Sequence, residues 1–218
     1  MIRVLFAGDS AITVELGTDV SYEVSRRIFD IFQRLRTAPP PGFLAALPTL
    51  RSLTVQFDPL VTDDKSISAH VLALAERADE MRATASVRWR IPACYDRAFA
   101  PDLEGIAITA GTTAEALAEL HAGQVYRVYM VGGFPGFPFM GDLPPPLQAP
   151  RLPSPRLALP AGSVAAAGRM TAIYPAATPG GWNLIGRTPV RLFDPEWENP
   201  ALIGPGDEVK FFLIDMAT

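Results

Sequence analysis

The chain has 218 residues, 49% of them hydrophobic and 19% charged, and a formal net charge of −4, which fits a globular protein and excludes a disordered, weakly hydrophobic chain. With a sequence pI near 5.2 there is no basic excess to bind a phosphate backbone, so nucleic acid is not an expected partner. One Cys and two His exclude a disulfide framework and any Cys-rich zinc site. The opening residues 1–9 are too short and too soon acidic for a signal peptide, and no run approaches the roughly 18 apolar residues of a membrane span. The expected location is the cytoplasm, with no membrane partner.

Residues 2–6 and 11–16 are short β-rich runs around Gly8-Asp9-Ser10 and read as a hairpin or two neighbouring strands. Ser21 precedes a helical stripe of Val24, Ile28, Ile31, Phe32 and Leu35, and Ser is a good N-cap. Pro39-Pro40-Pro41-Gly42 must stop that helix. Residues 43–47 and 50–57 read as strands. In the second, Leu53, Val55 and Phe57 alternate with polar residues, which predicts one buried face. Ser66 or Ser68 can cap a second helix running to about Arg82, with Val71, Leu72, Ala75 and Ala78 inside. These elements make a compact α+β domain over residues 1–84. The small, polar Ala83-Thr84-Ala85-Ser86 marks the boundary with a second domain, residues 85–218.

Residues 87–94 alternate as a strand. Asp102 is expected to cap a helix over 103–110 that Gly111 ends, and Thr112 or Thr113 to cap another over 114–122. Residues 126–131 read as a strand. Nine prolines then fall within residues 132–160, a density expected to admit no helix and no central strand. Phe134, Phe137, Phe139, Met140 and Leu143 supply packing mass that a linker would lack. Short β-rich segments follow near 162–167, 170–175, 182–185, 190–193 and 208–214. Their Gly/Pro turns point to a β-barrel or a sandwich.

No dinucleotide fingerprint, Walker A loop, zinc-protease motif or nucleophile elbow is present. His70 reads as a surface residue and Cys94 as a buried, inert thiol. His121 ends a helix and is a candidate acid/base or orienting group, since an unperturbed imidazole titrates near neutrality. The glycines and prolines around Gly136, Phe137 and Pro138 form a rigid loop that permits close backbone approach to a ligand. Gly162 and Ser163 offer backbone N–H groups and a hydroxyl to an anion. Trp182 offers a flat wall, Asn183 a donor and an acceptor, and Arg187 a planar fork, with Arg127 and Arg156 as further cations. Together these describe a pocket for a small, polar, anionic ligand. Pairing of Arg187 with an acidic residue of its own domain has similar weight.

Several strings carry a resemblance. Arg127-Val128-Tyr129-Met130, Gly136-Phe137-Pro138, Pro160-Ala161-Gly162-Ser163-Val164, Tyr174-Pro175 and Pro179-Gly180-Gly181-Trp182-Asn183-Leu184-Ile185-Gly186-Arg187-Thr188 closely resemble the KipI/PxpB family. Gly8-Asp9-Ser10-Ala11, Arg51-Ser52-Leu53 and Phe57-Asp58-Pro59-Leu60 match its N-terminal part. Members are also called the B subunit of 5-oxoprolinase, or the first subunit of allophanate hydrolase. The resemblance implies an α+β N-terminal domain followed by a cyclophilin-like β-barrel. It implies a subunit that is inactive alone and works with a PxpC/KipA-like and a PxpA-like subunit. The complex would use ATP to open 5-oxo-L-proline, a small anionic amide, to L-glutamate, with no metal bound by this chain. On that basis Arg187 or Arg156, with Arg127, would hold carboxylate or phosphate, and Trp182 would wall the pocket. The Gly162–Ser163 amides and Asn183 would polarise an oxygen, and His121 would carry the proton. The family also contains inhibitors of a histidine kinase and relatives of urea/allophanate carboxyltransferase components, which are the alternative functions. Phe139 stands where the family commonly has Tyr, beside the presumed pocket.

Overall fold

The computed structural model describes residues 2–77 and 87–215. The chain divides into two units, Met1–Ala85 and Ser86–Thr218.

Period-two alternation shapes the first unit. Its strands β1 (Arg3–Phe6), β2 (Ala11–Glu15), β3 (Phe43–Pro48) and β4 (Ser52–Phe57) form an antiparallel sheet in the order β1-β2-β4-β3. Ile12 pairs with Val55 and Val14 with Leu53, so one face of the two central strands is wholly apolar. Helices α1 (Tyr22–Thr37) and α2 (Asp64–Arg77) cover that face. They add Ile28, Ile31 and Leu35, and Ile67, Val71 and Ala75, to the same core. Ser21 caps α1, its Oγ accepting the Val24 N–H at 3.3 Å, and α1 stops at Thr37, two residues before the proline run.

The cap of α2 is Asp63 rather than Ser66 or Ser68. Asp63 Oδ1 accepts the Ser66 N–H at 2.7 Å, and hydrogen bonds from Ser66, side chain and backbone, lower the Asp63 pKa below the usual carboxylate range. A carboxylate at the helix start also gains from the dipole, which a hydroxyl does not. Ala78, the expected helix end near Arg82 and the boundary at 83–86 lie outside the described residues.

In the second unit a seven-stranded sheet runs β12-β9-β10-β7-β6-β13-β5. Its members are β5 (Arg88–Ala93), β6 (Val125–Val131), β7 (Pro138–Gly141), β9 (Ser163–Ala167), β10 (Met170–Ile173), β12 (Asn183–Arg187) and β13 (Glu208–Leu213). A separate ribbon pairs β8 (Arg156–Leu159) with β11 (Thr178–Gly180). The sheet curls until its two edge strands meet. Cys94, just past β5, and Arg187 of β12 exchange backbone hydrogen bonds at 2.8 Å in both directions. Gly186 permits that closure, because a Cβ there would stand 2.9 Å from Cys94 O. Helices α3 (Leu103–Ala110) and α4 (Ala114–Gly123) lend Leu103, Ala107 and Leu117 to a core with Tyr126, Val128, Ile185 and Phe211. Every residue of β9 is buried. Alternation sends Val164 and Ala166 into this core and Ala165 and Ala167 into a second cluster around Trp182 and Tyr174.

The proline-rich segment departs from expectation. It contains β7, the central strand of the sheet, flanked by β10 and β6. Pro138 opens β7 opposite Val131, a first position where no ladder N–H is required. The remaining Phe139, Met140 and Gly141 are free to pair with both neighbours. The segment near 190–193 forms no strand, only an isolated bridge between Phe193 and Ala201.

Candidate functional site

Asp102 precedes α3 but does not cap it with its side chain. Its carboxylate accepts both arms of the Arg156 guanidinium, at 2.9 and 2.7 Å, and the Leu184 N–H at 2.6 Å. Its own N–H donates to Leu184 O at 3.1 Å. One residue thus ties α3 to β8 and β12. This corrects two expectations at once. Asp102 is a cross-link rather than a cap, and the fork of Arg156 is filled by an internal carboxylate instead of a ligand.

Beside this cross-link lies a cavity of about 550 Å³ between α3 and residues 145–153. Its walls include Asp102, Ile106, Thr109, Pro146, Arg151 and Asn183. Arg151 is exposed, and its Cζ lies 5.8 Å from the centroid of the Trp182 ring, where a cation meets the negative π face. Trp182 is itself buried and packed edge-on against Phe137 and Phe139, at 5.8 and 5.7 Å. Asn183 Nδ2 donates to Pro150 O at 2.8 Å and to Ala166 O at 3.2 Å. Both N–H groups are committed, so Asn183 presents an acceptor, Oδ1, rather than the donor expected to polarise an oxygen.

His121 is fully buried. Tyr95 Oη lies 2.7 Å from Nδ1, and Nε2 lies 3.0 Å from Thr171 Oγ1. Thr171 Oγ1 donates its proton to Ala165 O at 3.0 Å, so it must accept from Nε2–H. Nδ1 is then the acceptor, and the Tyr95 hydroxyl donates to it. The chain of donors is continuous: Tyr95, His121, Thr171, Ala165. The ring also packs against Tyr126 and Phe211, with centroids 4.9 and 4.7 Å away. Burial pushes the His121 pKa down to about 3 and the Tyr95 phenol up. Both groups therefore stay neutral at physiological pH. The expected proton carrier is a core hydrogen-bond hub with both ring nitrogens engaged. Tyr95 lines a second cavity of about 460 Å³, whose walls carry Asp96, Glu104, Glu115 and Glu119 beside Arg97.

The other expected site residues lie elsewhere. Gly162 N–H donates to Tyr174 O at 2.8 Å, while the Ser163 N–H and hydroxyl both donate to Pro160 O, at 3.3 and 2.8 Å. No donor remains there for an oxyanion. Gly162 (φ +81°) is required because a Cβ would fall 2.1 Å from Thr188 O. Arg127 pairs with Glu208 at 3.0 Å, a carboxylate shared with Arg88. Arg187 Nε donates to Ala161 O at 3.3 Å, and its Cζ stands 5.8 Å from the Phe99 ring centroid. Gly136 (φ +74°) is pressed against Phe193, and Phe137 and Pro138 are buried, so these three residues are packing rather than open wall.

Of the expected residues, only Asn183, with Trp182 and Arg156 through their contacts with Arg151 and Asp102, gathers at one cavity. Arg151, Tyr95 and Thr171 are not among the residues that sequence reasoning singles out. Arg151 had one signal, its place in Pro150-Arg151-Leu152-Pro153, where neighbouring prolines fix the backbone. Among the described residues no group of three His, Cys, Asp or Glu could hold a metal ion. Among them, too, no helix is long and apolar enough to cross a membrane.

Residues 2–203 match the family model of the carboxyltransferase domain, subdomain C and D. The chain is 36% identical to the 5-oxoprolinase B subunit of Bacillus subtilis (strain 168) over 221 residues, covering 95% of this chain and 90% of that one. It is 37% identical to the 5-oxoprolinase B subunit of Escherichia coli O157:H7, covering 96% and 94%. Among solved structures, TTHA0988 matches with a TM-score of 0.83 and 36% identity over 100% of this chain. The chain spans only 41% of the length of TTHA0988. The K. lactis urea amidolyase shares the fold alone, with a TM-score of 0.78 and 21% identity over 98% of this chain and 15% of that one. A family match over nearly the whole chain, with relatives of this identity, shows that the protein belongs to the carboxyltransferase domain family of subdomains C and D.

Proposed function

We propose that this chain is a subunit of a 5-oxoprolinase, which opens 5-oxo-L-proline to L-glutamate with hydrolysis of ATP. The observation that carries this is the two-sided coverage of the 5-oxoprolinase relatives: 95% and 96% of this chain against 90% and 94% of theirs. The second unit is read as a cyclophilin-like barrel, the complex as cytoplasmic, and the partners as a PxpC/KipA-like and a PxpA-like subunit.

This chain supplies substrate binding rather than nucleotide binding. The cavity beside α3 does not suit a triphosphate. Five of its lining residues are prolines, Pro101, Pro145, Pro146, Pro150 and Pro153, which have no N–H to offer phosphate oxygens. Its carboxylate, Asp102, would repel them, and among the described residues Arg151 supplies the one guanidinium in its lining. On this reading the ATP site lies on a partner, and the chain alone is expected to be inactive.

Genetic complementation tests the reading. A bacterial strain whose own homologue of this chain has been deleted is supplied with this chain and its genomic neighbours, and grown on 5-oxoproline as sole nitrogen source. Restored growth supports the reading. No growth, with folded protein accumulating in the cell, opposes it.

A further inference from the structure

We infer that Arg151 anchors the substrate's carboxylate in the cavity beside α3, and that Asn183 Oδ1 accepts its lactam N–H. The inference rests on the 5-oxoprolinase reading above and names the residues that recognise the substrate.

Charge comes first. The carboxylate in the cavity wall, Asp102, is neutralised by Arg156 in a two-armed pair. Arg151 has no carboxylate partner among the described residues, and its guanidinium is held over the face of Trp182. The cavity thus presents one uncompensated, oriented cation, which suits a planar carboxylate. The other arginines proposed from the sequence are engaged elsewhere. Arg127 is paired with Glu208, Arg156 with Asp102, and Arg187 with Ala161 O and Phe99.

Orientation comes second. The carbonyls of Pro150 and Ala166 fix the Asn183 amide by taking both N–H groups, so the remaining oxygen is a preset acceptor. A lactam carries one N–H donor beside its ring carbonyl. The substrate's two recognition features, an anion and an N–H, match one cation and one acceptor. Ile106, Leu152 and the prolines provide apolar wall for the ring methylenes. The lactam oxygen stays unengaged by these two groups, free for the activation that this chain does not supply.

The test uses the assembled complex. Arg151→Gln should raise KM for 5-oxoproline by about 10- to 100-fold, the loss expected for one hydrogen-bonded charge pair, while kcat falls far less. Arg151→Lys should recover part of the loss. The uncharged analogue 2-pyrrolidinone, used as a competitive inhibitor, should bind wild type and Arg151→Gln equally, because it has no carboxylate to lose. An unchanged KM in Arg151→Gln, or an equal weakening of 2-pyrrolidinone, overturns the inference and leaves the 5-oxoprolinase reading standing. A complex inactive on 5-oxoproline overturns that reading instead. Calorimetric titration of the full chain with 5-oxoproline then decides the inference: binding that Arg151→Gln abolishes supports it, and binding that is absent or unaltered by the substitution overturns it.

Discussion

Acid should weaken the second unit through a single histidine. Folded, His121 is held neutral down to about pH 3, whereas its ordinary value is 6.5. Below pH 6.5 the unfolded chain takes up a proton that the folded chain refuses, so stability is complete above that pH and lost as pH falls toward 3. At pH 5 the histidine lies about 1.5 units below its unfolded pKa. At about 1.36 kcal/mol per unit, the loss from pH 7 is about 2 kcal/mol. All three tryptophans, Trp89, Trp182 and Trp197, lie in the second unit, so their emission reports its urea unfolding. With an m-value of about 2 kcal/mol/M, the midpoint should fall by about 1 M between pH 7 and pH 5. His121→Gln leaves the Tyr95 hydroxyl without its acceptor and should cost about 1–3 kcal/mol at pH 7. Having nothing to protonate at that position, it should lose under about 0.5 kcal/mol on going to pH 5. A wild-type midpoint that does not move, or a variant that moves as far as wild type, would refute the assignment of His121 as a neutral structural hub.

Three further outcomes follow from the same geometry. Asp102→Asn removes the countercharge of Arg156 and should destabilise the second unit by about 2–3 kcal/mol in urea titrations, because a partly buried guanidinium is left unpaired. Gly162→Ala must place its Cβ 2.1 Å from Thr188 O at a positive φ. It should lower stability by more than about 3 kcal/mol, read as a large fall in Tm or as insoluble expression. In the first unit, Ser21→Ala removes the α1 cap and should cost about 1 kcal/mol, followed by the helical circular dichroism signal on denaturation.

How much was legible depended on whether the signal was local. The α1 stripe, its Ser21 cap and the alternation in β4 follow from neighbours within a turn or two, and the structure has them where the sequence places them. Proline density misled because it counts residues without asking where in a strand each one stands. Pro138 opens β7, and the three residues after it pair normally. The site was less legible because its roles depend on distant partners. Arg156 and Arg151 are equivalent cations in sequence, yet one meets Asp102, 54 positions away, and the other meets a tryptophan face. His121 becomes a hub through Tyr95 and Thr171, 26 and 50 positions away. Gly162 reads in sequence as an N–H donor for an anion, and only the fold shows that Thr188 O stands where its Cβ would be.

The most direct test of the central claim is reconstitution from purified proteins. This chain is combined with the proposed partners, a PxpC/KipA-like and a PxpA-like subunit, and ATP-dependent release of glutamate from 5-oxoproline is measured, with each component omitted in turn. The expected result is release by the full set, none by this chain alone, and none when this chain is left out. Release that continues undiminished without this chain, or none from three well-folded subunits together, would contradict the account.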